Sequence, residues 1–219
     1  MSAAASGIGM TSQRTRTRMI ARLREQGIGD EHVLAAIAAV PRHLFVEEAL
    51  ASRAYEDTAL PLGYAQTISQ PYVVARMIEV LRAGRELGKT LEIGAGSGYQ
   101  AAVLAQLTNQ VYAVERIAPL LARARINLQA AGQNKVHLVY ADGQLGLPEA
   151  APFDTIIVAA ATARVPNALL QQLALGGRML LPLGTAGEQC LLLIERRAEG
   201  CSETRLDGVR FVPLLSGVE

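Results

Sequence analysis

Lys89-Thr-Leu-Glu-Ile-Gly-Ala-Gly-Ser-Gly98 decides how this chain is read, because a short β-forming run breaks into glycines at alternate positions and then opens a helix. Gly94 permits the tight turn off the strand, Gly96 lets backbone approach a ligand closely, and Gly98 lets helix and strand pack without an intervening Cβ. Such a junction cradles a nucleotide-like cofactor. A dinucleotide fingerprint would need its third glycine at position 99, which is Tyr99, and no lysine follows to form a phosphate-binding P-loop. Glu92 lies two positions ahead of the first glycine, where a carboxylate balances a cationic amino or sulfonium group rather than a pyrophosphate. These features point to S-adenosyl-L-methionine; the competing reading is a glycine-rich βα turn without a ligand.

Downstream, strand and helix alternate with short connectors, which predicts an α/β fold with a mostly parallel sheet and helices on both faces. Strands are expected at 90–93, 110–115, 136–140, 155–159 and 178–182, with helices near 99–107, 119–131 and 166–173. Two further strands, 190–196 and 206–213, form a hairpin-like edge and bring the sheet to seven. Upstream, a basic amphipathic helix spans about 11–26, its arginines forming a solvated face. A second helix runs from an Asp30 N-cap to Pro41. The stretch 53–70 shows little regular signal, and loops of that length are often functional. Pro71 then enters the first turn of a helix, with Ser69 as its N-cap.

The 219 residues, 50% of them hydrophobic, suit one enlarged domain over 11–219, its helices and loop at 11–85 preceding the sheet region at 86–219. Residues 1–10 read as a frayed tail. With 21 Lys and Arg against 20 Asp and Glu, there is no general attraction to nucleic acid or membrane. No run suits a membrane span or signal peptide, which makes the cytoplasm the expected compartment. Cys190 and Cys201 lack metal or disulfide spacing and read as reduced, structural residues. His32, His43 and His137 are widely spread, so no metal is expected.

Glu115 ends the second expected strand 21 positions after Gly94, the offset at which a carboxylate reaches a ribose. The alternative is an exposed acid at a strand end. Asp142 and Gly143 end the next strand, where Asp142 either accepts from an adenine amino group or forms an Asx turn. Ala159–Ala161 leave room for a substrate or are close packing. No Asn-Pro-Pro-Tyr follows, which argues against amino methylation of nucleic-acid bases.

With these residues in place, the chain resembles the protein-L-isoaspartate (D-aspartate) O-methyltransferases, particularly their bacterial branch, over nearly all of 11–219. The likeness rests on Val40-Pro-Arg-His-Leu-Phe-Val46, Leu60-Pro-Leu-Gly-Tyr-Ala-Gln-Thr-Ile-Ser-Gln-Pro-Tyr72, Leu91-Glu-Ile-Gly-Ala-Gly-Ser-Gly-Tyr-Gln100, Val114-Glu-Arg-Ile117 and Val209-Arg-Phe-Val-Pro-Leu214. The Gln66-Thr-Ile-Ser-Gln-Pro segment is peculiar to that family. Departures are small: Glu92 stands where the eukaryotic branch tends to carry Asp, and Tyr72-Val73 replaces a histidine-containing stretch.

The resemblance implies a Rossmann-like class I S-adenosylmethionine-dependent methyltransferase fold with an N-terminal helical cap. It places Ser69 at the active-site serine, Thr67 and Ile68 in the wall over the cofactor, and Gly96, Glu115, Asp142 and Gly143 at cofactor-binding positions. The implied reaction methylates the free α-carboxylate of L-isoaspartyl and D-aspartyl residues in damaged proteins and peptides, yielding S-adenosyl-L-homocysteine. The ester then closes to a succinimide whose hydrolysis returns some normal aspartate. A monomer is expected. Two rivals are a methyltransferase for small molecules or RNA, and a non-catalytic cofactor-binding module.

Overall fold

The computed structural model describes residues 7, 9–185 and 187–219. Two helices lead the chain. α1 (Gln13–Glu25) stops before Gly27, and α2 (Glu31–Ala39) is capped by Asp30, whose Oδ1 accepts from the His32 and Val33 amides at 2.9 and 3.3 Å. After 3₁₀ turns at Arg42–Phe45 and Glu48–Arg53, β1 (Leu60–Gly63) and β2 (Gln66–Ile68) form a hairpin that leads into α3 (Pro71–Arg82). The alternating region comprises β3 (Thr90–Ile93), α4 (Tyr99–Leu104), β4 (Val111–Glu115), α5 (Ala118–Ala130), β5 (Val136–Tyr140), β6 (Phe153–Val158), α6 (Asn167–Gln172) and β7 (Leu173–Thr185). It closes with β8 (Glu188–Arg197) and β9 (Gly200–Val209).

The seven-stranded sheet has the order β5-β4-β3-β6-β7-β8-β9, parallel through β7 and antiparallel over β8 and β9. The strand order reverses at β3, which has β4 on one side and β6 on the other, so a crevice opens at its carboxyl end. Adjacent strand residues serve opposite faces, as the pleat requires. Val111, Ala113, Ile157 and Leu180 pack with Met19, Ile37, Ile78 and Ala102 from the helices, whereas Val114, Ile156, Val158 and Leu181 pack with Leu169 of α6. The N-terminal helices therefore anchor on the face that also carries α3 and α4.

Four expectations need correction. The 53–70 stretch contains the β1–β2 hairpin; its two-residue turn puts Tyr64 and Ala65 at φ 51° and 53°, the geometry of a type I′ turn without the usual Asn-Gly signature. The α1 arginines are not all solvated. Arg16 is buried and donates to the Ala38 carbonyl, and Arg22 donates to the Tyr55 carbonyl, because both carbonyls face α1 from neighbouring segments. The last strand ends at Val209 rather than at Pro213. Beyond it, the Gln189 side-chain amide donates to the Phe211 carbonyl and accepts from the Phe211 N–H, while the Ala161 backbone donates to the Val212 carbonyl and accepts from the Leu214 amide.

Ser69 is not the N-cap of α3; Gln70 holds that position without a side-chain cap. Asp57 takes over the capping, its Oδ1 accepting from the Tyr72 amide at 2.9 Å. The expected tail lies largely outside the described residues, although Gly9–Thr11 forms a 3₁₀ turn. No helix among the described residues is long and apolar enough to cross a membrane.

Candidate active site

The turn after β3 is pinned to the neighbouring strand, with the Gly94 and Ala95 amides both donating to the Val114 carbonyl at 2.9 and 3.0 Å. Positive φ at Gly94 (87°) and Gly96 (55°) bends the backbone around a cavity with an empty volume of about 830 Å³. Its wall includes Glu92, Gly94, Gly96, Glu115, Gly143 and Ile68. The β1–β2 hairpin closes over it, and a Cβ at Gly96 would sit 3.4 Å from Leu62 Cδ1. Gly98 serves a different contact from the one expected. A Cβ there would meet Leu128 at 3.2 Å and Ala124 at 3.3 Å, so this glycine lets the turn approach α5 rather than a strand.

Two carboxylates face the cavity in different states. Glu92 is 1% exposed, and neither of its oxygens has a hydrogen-bond partner among the described residues. Burial pushes its carboxyl well above the ordinary glutamate value; the Gln100 side chain acts in the opposite sense, and the Glu115 carboxylate adds to the rise. Glu115 is satisfied instead. Oε2 accepts from the Gly96 amide at 2.8 Å, and Oε1 from the Arg116 and Ile117 amides at 2.8 and 3.0 Å. A carboxylate can accept about four such bonds, which leaves capacity at Oε2 for one more donor.

Ser69 stands where the cavity meets a second, open groove of about 1870 Å³, and Thr67, Ser69, Ala159 and Val212 line both. The groove runs between α3 and the β8–β9 end, past Tyr72, Arg76, Asp207 and Phe211. Because Asp57 caps α3, the Ser69 hydroxyl is spared that task and makes no hydrogen bond among the described residues. Asp142 adjoins the cavity wall: Oδ1 accepts from the Gln144 amide at 2.8 Å, the Asx turn, and Oδ2 from the Gly217 amide at 2.6 Å.

Neighbouring Gly143 does line the cavity, and a Cβ there would fall 2.5 Å from Ile93 Cγ2. Wall residues absent from the expectations include Tyr99, Gln100, Ile117, Leu214 and Leu215; the first two fall within the quoted glycine motif, whereas Leu215 carries no local signal. Among the described residues no three His, Cys, Asp or Glu side chains group to hold a metal ion.

Residues 14–219 match the family described as protein-L-isoaspartate(D-aspartate) O-methyltransferase. The chain belongs to this family. A relative from Dechloromonas aromatica (strain RCB), protein-L-isoaspartate O-methyltransferase, is 72% identical over 97% of this chain and 99% of its own. A solved protein-L-isoaspartate O-methyltransferase superposes with a TM-score of 0.83 at 28% identity, covering 93% of this chain and 67% of the other. A solved structure from Plasmodium falciparum, described as a putative family member in complex with S-adenosyl-L-homocysteine, shares the fold. Its TM-score is 0.77 at 24% identity, covering 90% and 97% of the two chains. In this O-methyltransferase the Gln66–Gln70 segment therefore contributes to the walls of both the cavity and the groove.

Proposed function

We propose that the protein uses S-adenosyl-L-methionine to methylate the free α-carboxylate of L-isoaspartyl residues, and the free side-chain carboxylate of D-aspartyl residues, in damaged proteins and peptides. The observation that carries this reading is the placement of Ser69 on the wall shared by the glycine-turn cavity and the larger neighbouring groove. One compartment suits a cofactor; the other admits a chain segment.

The cavity at the glycine turn fits the cofactor's chemistry. Glu92, buried with two unpartnered oxygens, answers a cationic amino or sulfonium group; Gly94 and Gly96 supply the positive-φ turn that lines the cavity, and Gly143 has no room for a Cβ beside Ile93. Glu115 offers Oε2 to a ribose hydroxyl. Thr67 and Ile68 cover the cavity, and Gly98 supports the turn through α5. Asp142, with acceptor capacity left beside its bonds to the Gln144 and Gly217 amides, accepts from the adenine amino group, while Gly143 provides the floor.

When bound, S-adenosyl-L-methionine supplies an electrophilic methyl group, which the carboxylate oxygen takes up while the bonding pair stays on sulfur. The acceptor is already ionised near neutral pH, so the protein needs no strong general base. Its contribution is positioning within a water-poor site. Ser69 donates its hydroxyl to the acceptor carboxylate and is not a covalent nucleophile. The ester product then closes to a succinimide, so the enzyme begins repair without completing it.

The groove holds an extended peptide between the 53–70 segment and Phe211–Leu214. The protein works as a monomeric single domain in the cytoplasm, without nucleic-acid or membrane partners. The test is transfer of labelled methyl to matched isoaspartyl and aspartyl peptides, scored as base-labile product. Labelling of the isoaspartyl peptide alone is expected; equal labelling of both, or of neither while cofactor binds, overturns the reading.

A further inference from the structure

Arg42 is fully buried, yet no carboxylate among the described residues lies within ion-pair distance of it. It sits in the 3₁₀ turn after Pro41 and ties together three distant segments. Its Nε donates to the Ala54 carbonyl at 2.9 Å, its Nη2 donates to the Ser69 carbonyl at 2.7 Å, and its guanidinium carbon lies 4.6 Å from the centroid of the Tyr99 ring. Tyr99 opens α4 and forms part of the cofactor-cavity wall.

A buried cation without an ion pair is a poor source of stability, since an apolar side chain of similar volume avoids its desolvation. What the guanidinium does that no apolar side chain can is span two carbonyls with a rigid planar fork. The bond to the Ser69 carbonyl fixes the Ser69–Gln70 peptide plane, and with it the direction of the Ser69 Cα–Cβ bond. Asp57 holds the same segment from its other end through the Tyr72 amide.

We propose that Arg42 is a positioning residue for the methyl acceptor, aiming the Ser69 hydroxyl by gripping the Ser69 carbonyl from behind. The proposal rests on the reading that Ser69 orients the acceptor carboxylate. It explains why the Val-Pro-Arg segment, far from the cavity in sequence, belongs to the same site. A small displacement of an orienting group is costly because the geometry of approach governs the rate.

The test is a double-mutant cycle of Arg42→Met with Ser69→Ala. Turnover is measured at saturating cofactor and peptide, alongside cofactor Kd and melting temperature. Arg42→Met is expected to lower kcat about tenfold or more while cofactor Kd changes less than about threefold. The double variant should then lose little beyond the more impaired single variant, because both changes remove one function. Effects that multiply, with Ser69→Ala itself impaired, overturn the Arg42 proposal alone. Wild-type turnover by Ser69→Ala overturns the Ser69 reading and the proposal with it. If Arg42→Met does not fold, Arg42→Lys runs the same cycle, since it keeps the charge and stem but reaches only one carbonyl. Coupling to Ser69 supports the proposal there too, and independent effects overturn it.

Discussion

Glu92→Gln should weaken cofactor binding and stabilise the free protein at the same time, a pair of effects that damage to the fold cannot produce together. The side chain is 1% exposed, both oxygens lack a partner among the described residues, and burial raises its carboxyl well above the ordinary 4.5. The folded state therefore holds this proton more tightly than the unfolded chain. Below about pH 4.5 both states are protonated and the group adds no difference. As pH rises from there through the folded-state value, the unfolded chain ionises first and wild-type stability falls; above that value the loss is constant.

Glutamine has no such dependence. At neutral pH the variant should be the more stable, by about 1.4 kcal/mol for each pH unit above the ordinary 4.5 over which the folded carboxyl stays protonated, with each kcal/mol worth roughly 2–4 °C in Tm for a chain of this size. Binding moves the other way: losing a charge-assisted partner worth about 1.5–3 kcal/mol weakens Kd roughly 10- to 150-fold. Wild-type affinity should also rise with pH across the window in which Glu92 ionises, whereas the variant's should stay level. Titration calorimetry with S-adenosyl-L-methionine and thermal melts between pH 5 and 8 read both quantities. A variant that binds within twofold of wild type, or melts lower at pH 8, would refute the reasoning.

Ser69→Ala is expected to cut turnover about 10- to 100-fold, the scale of a hydrogen bond to a charged group, with cofactor affinity little changed; single-turnover transfer at saturating cofactor checks it. Asp57→Ala should cost about 1 kcal/mol as a lost helix cap and Asp57→Asn less, since Asn keeps an acceptor for the Tyr72 amide. Urea unfolding separates them, and equal losses would remove the capping account. An isoaspartyl peptide should slow hydrogen exchange in both the 53–70 and 211–214 segments; protection confined to one, or spread elsewhere, rules out the groove as its seat.

Legibility followed the range of the interactions. The β3 strand and the Asp30 cap were readable at the residues where they occur, because each is set by neighbours a few positions away. The hairpin has no local signature because Tyr64-Ala65 adopts positive φ without glycine or asparagine, held there by Leu60 and Ile68 packing into the core. Ser69, shortly before Pro71, satisfies the local rule for a cap, and only the approach of Asp57 cancels it.

Local chemistry thus sufficed for the alternating strands and helices, the glycine turn and the choice of a cationic ligand, since backbone freedom and side-chain charge travel with the residues themselves. The meeting of Arg42, Asp57 and Ser69, the bond of Asp142 to Gly217 and the seating of Leu214 and Leu215 on the cavity depend on segments up to more than a hundred residues apart. Such contacts form only when the sheet has brought its strand ends to one edge, because no local preference encodes which distant carbonyl or amide will lie within reach.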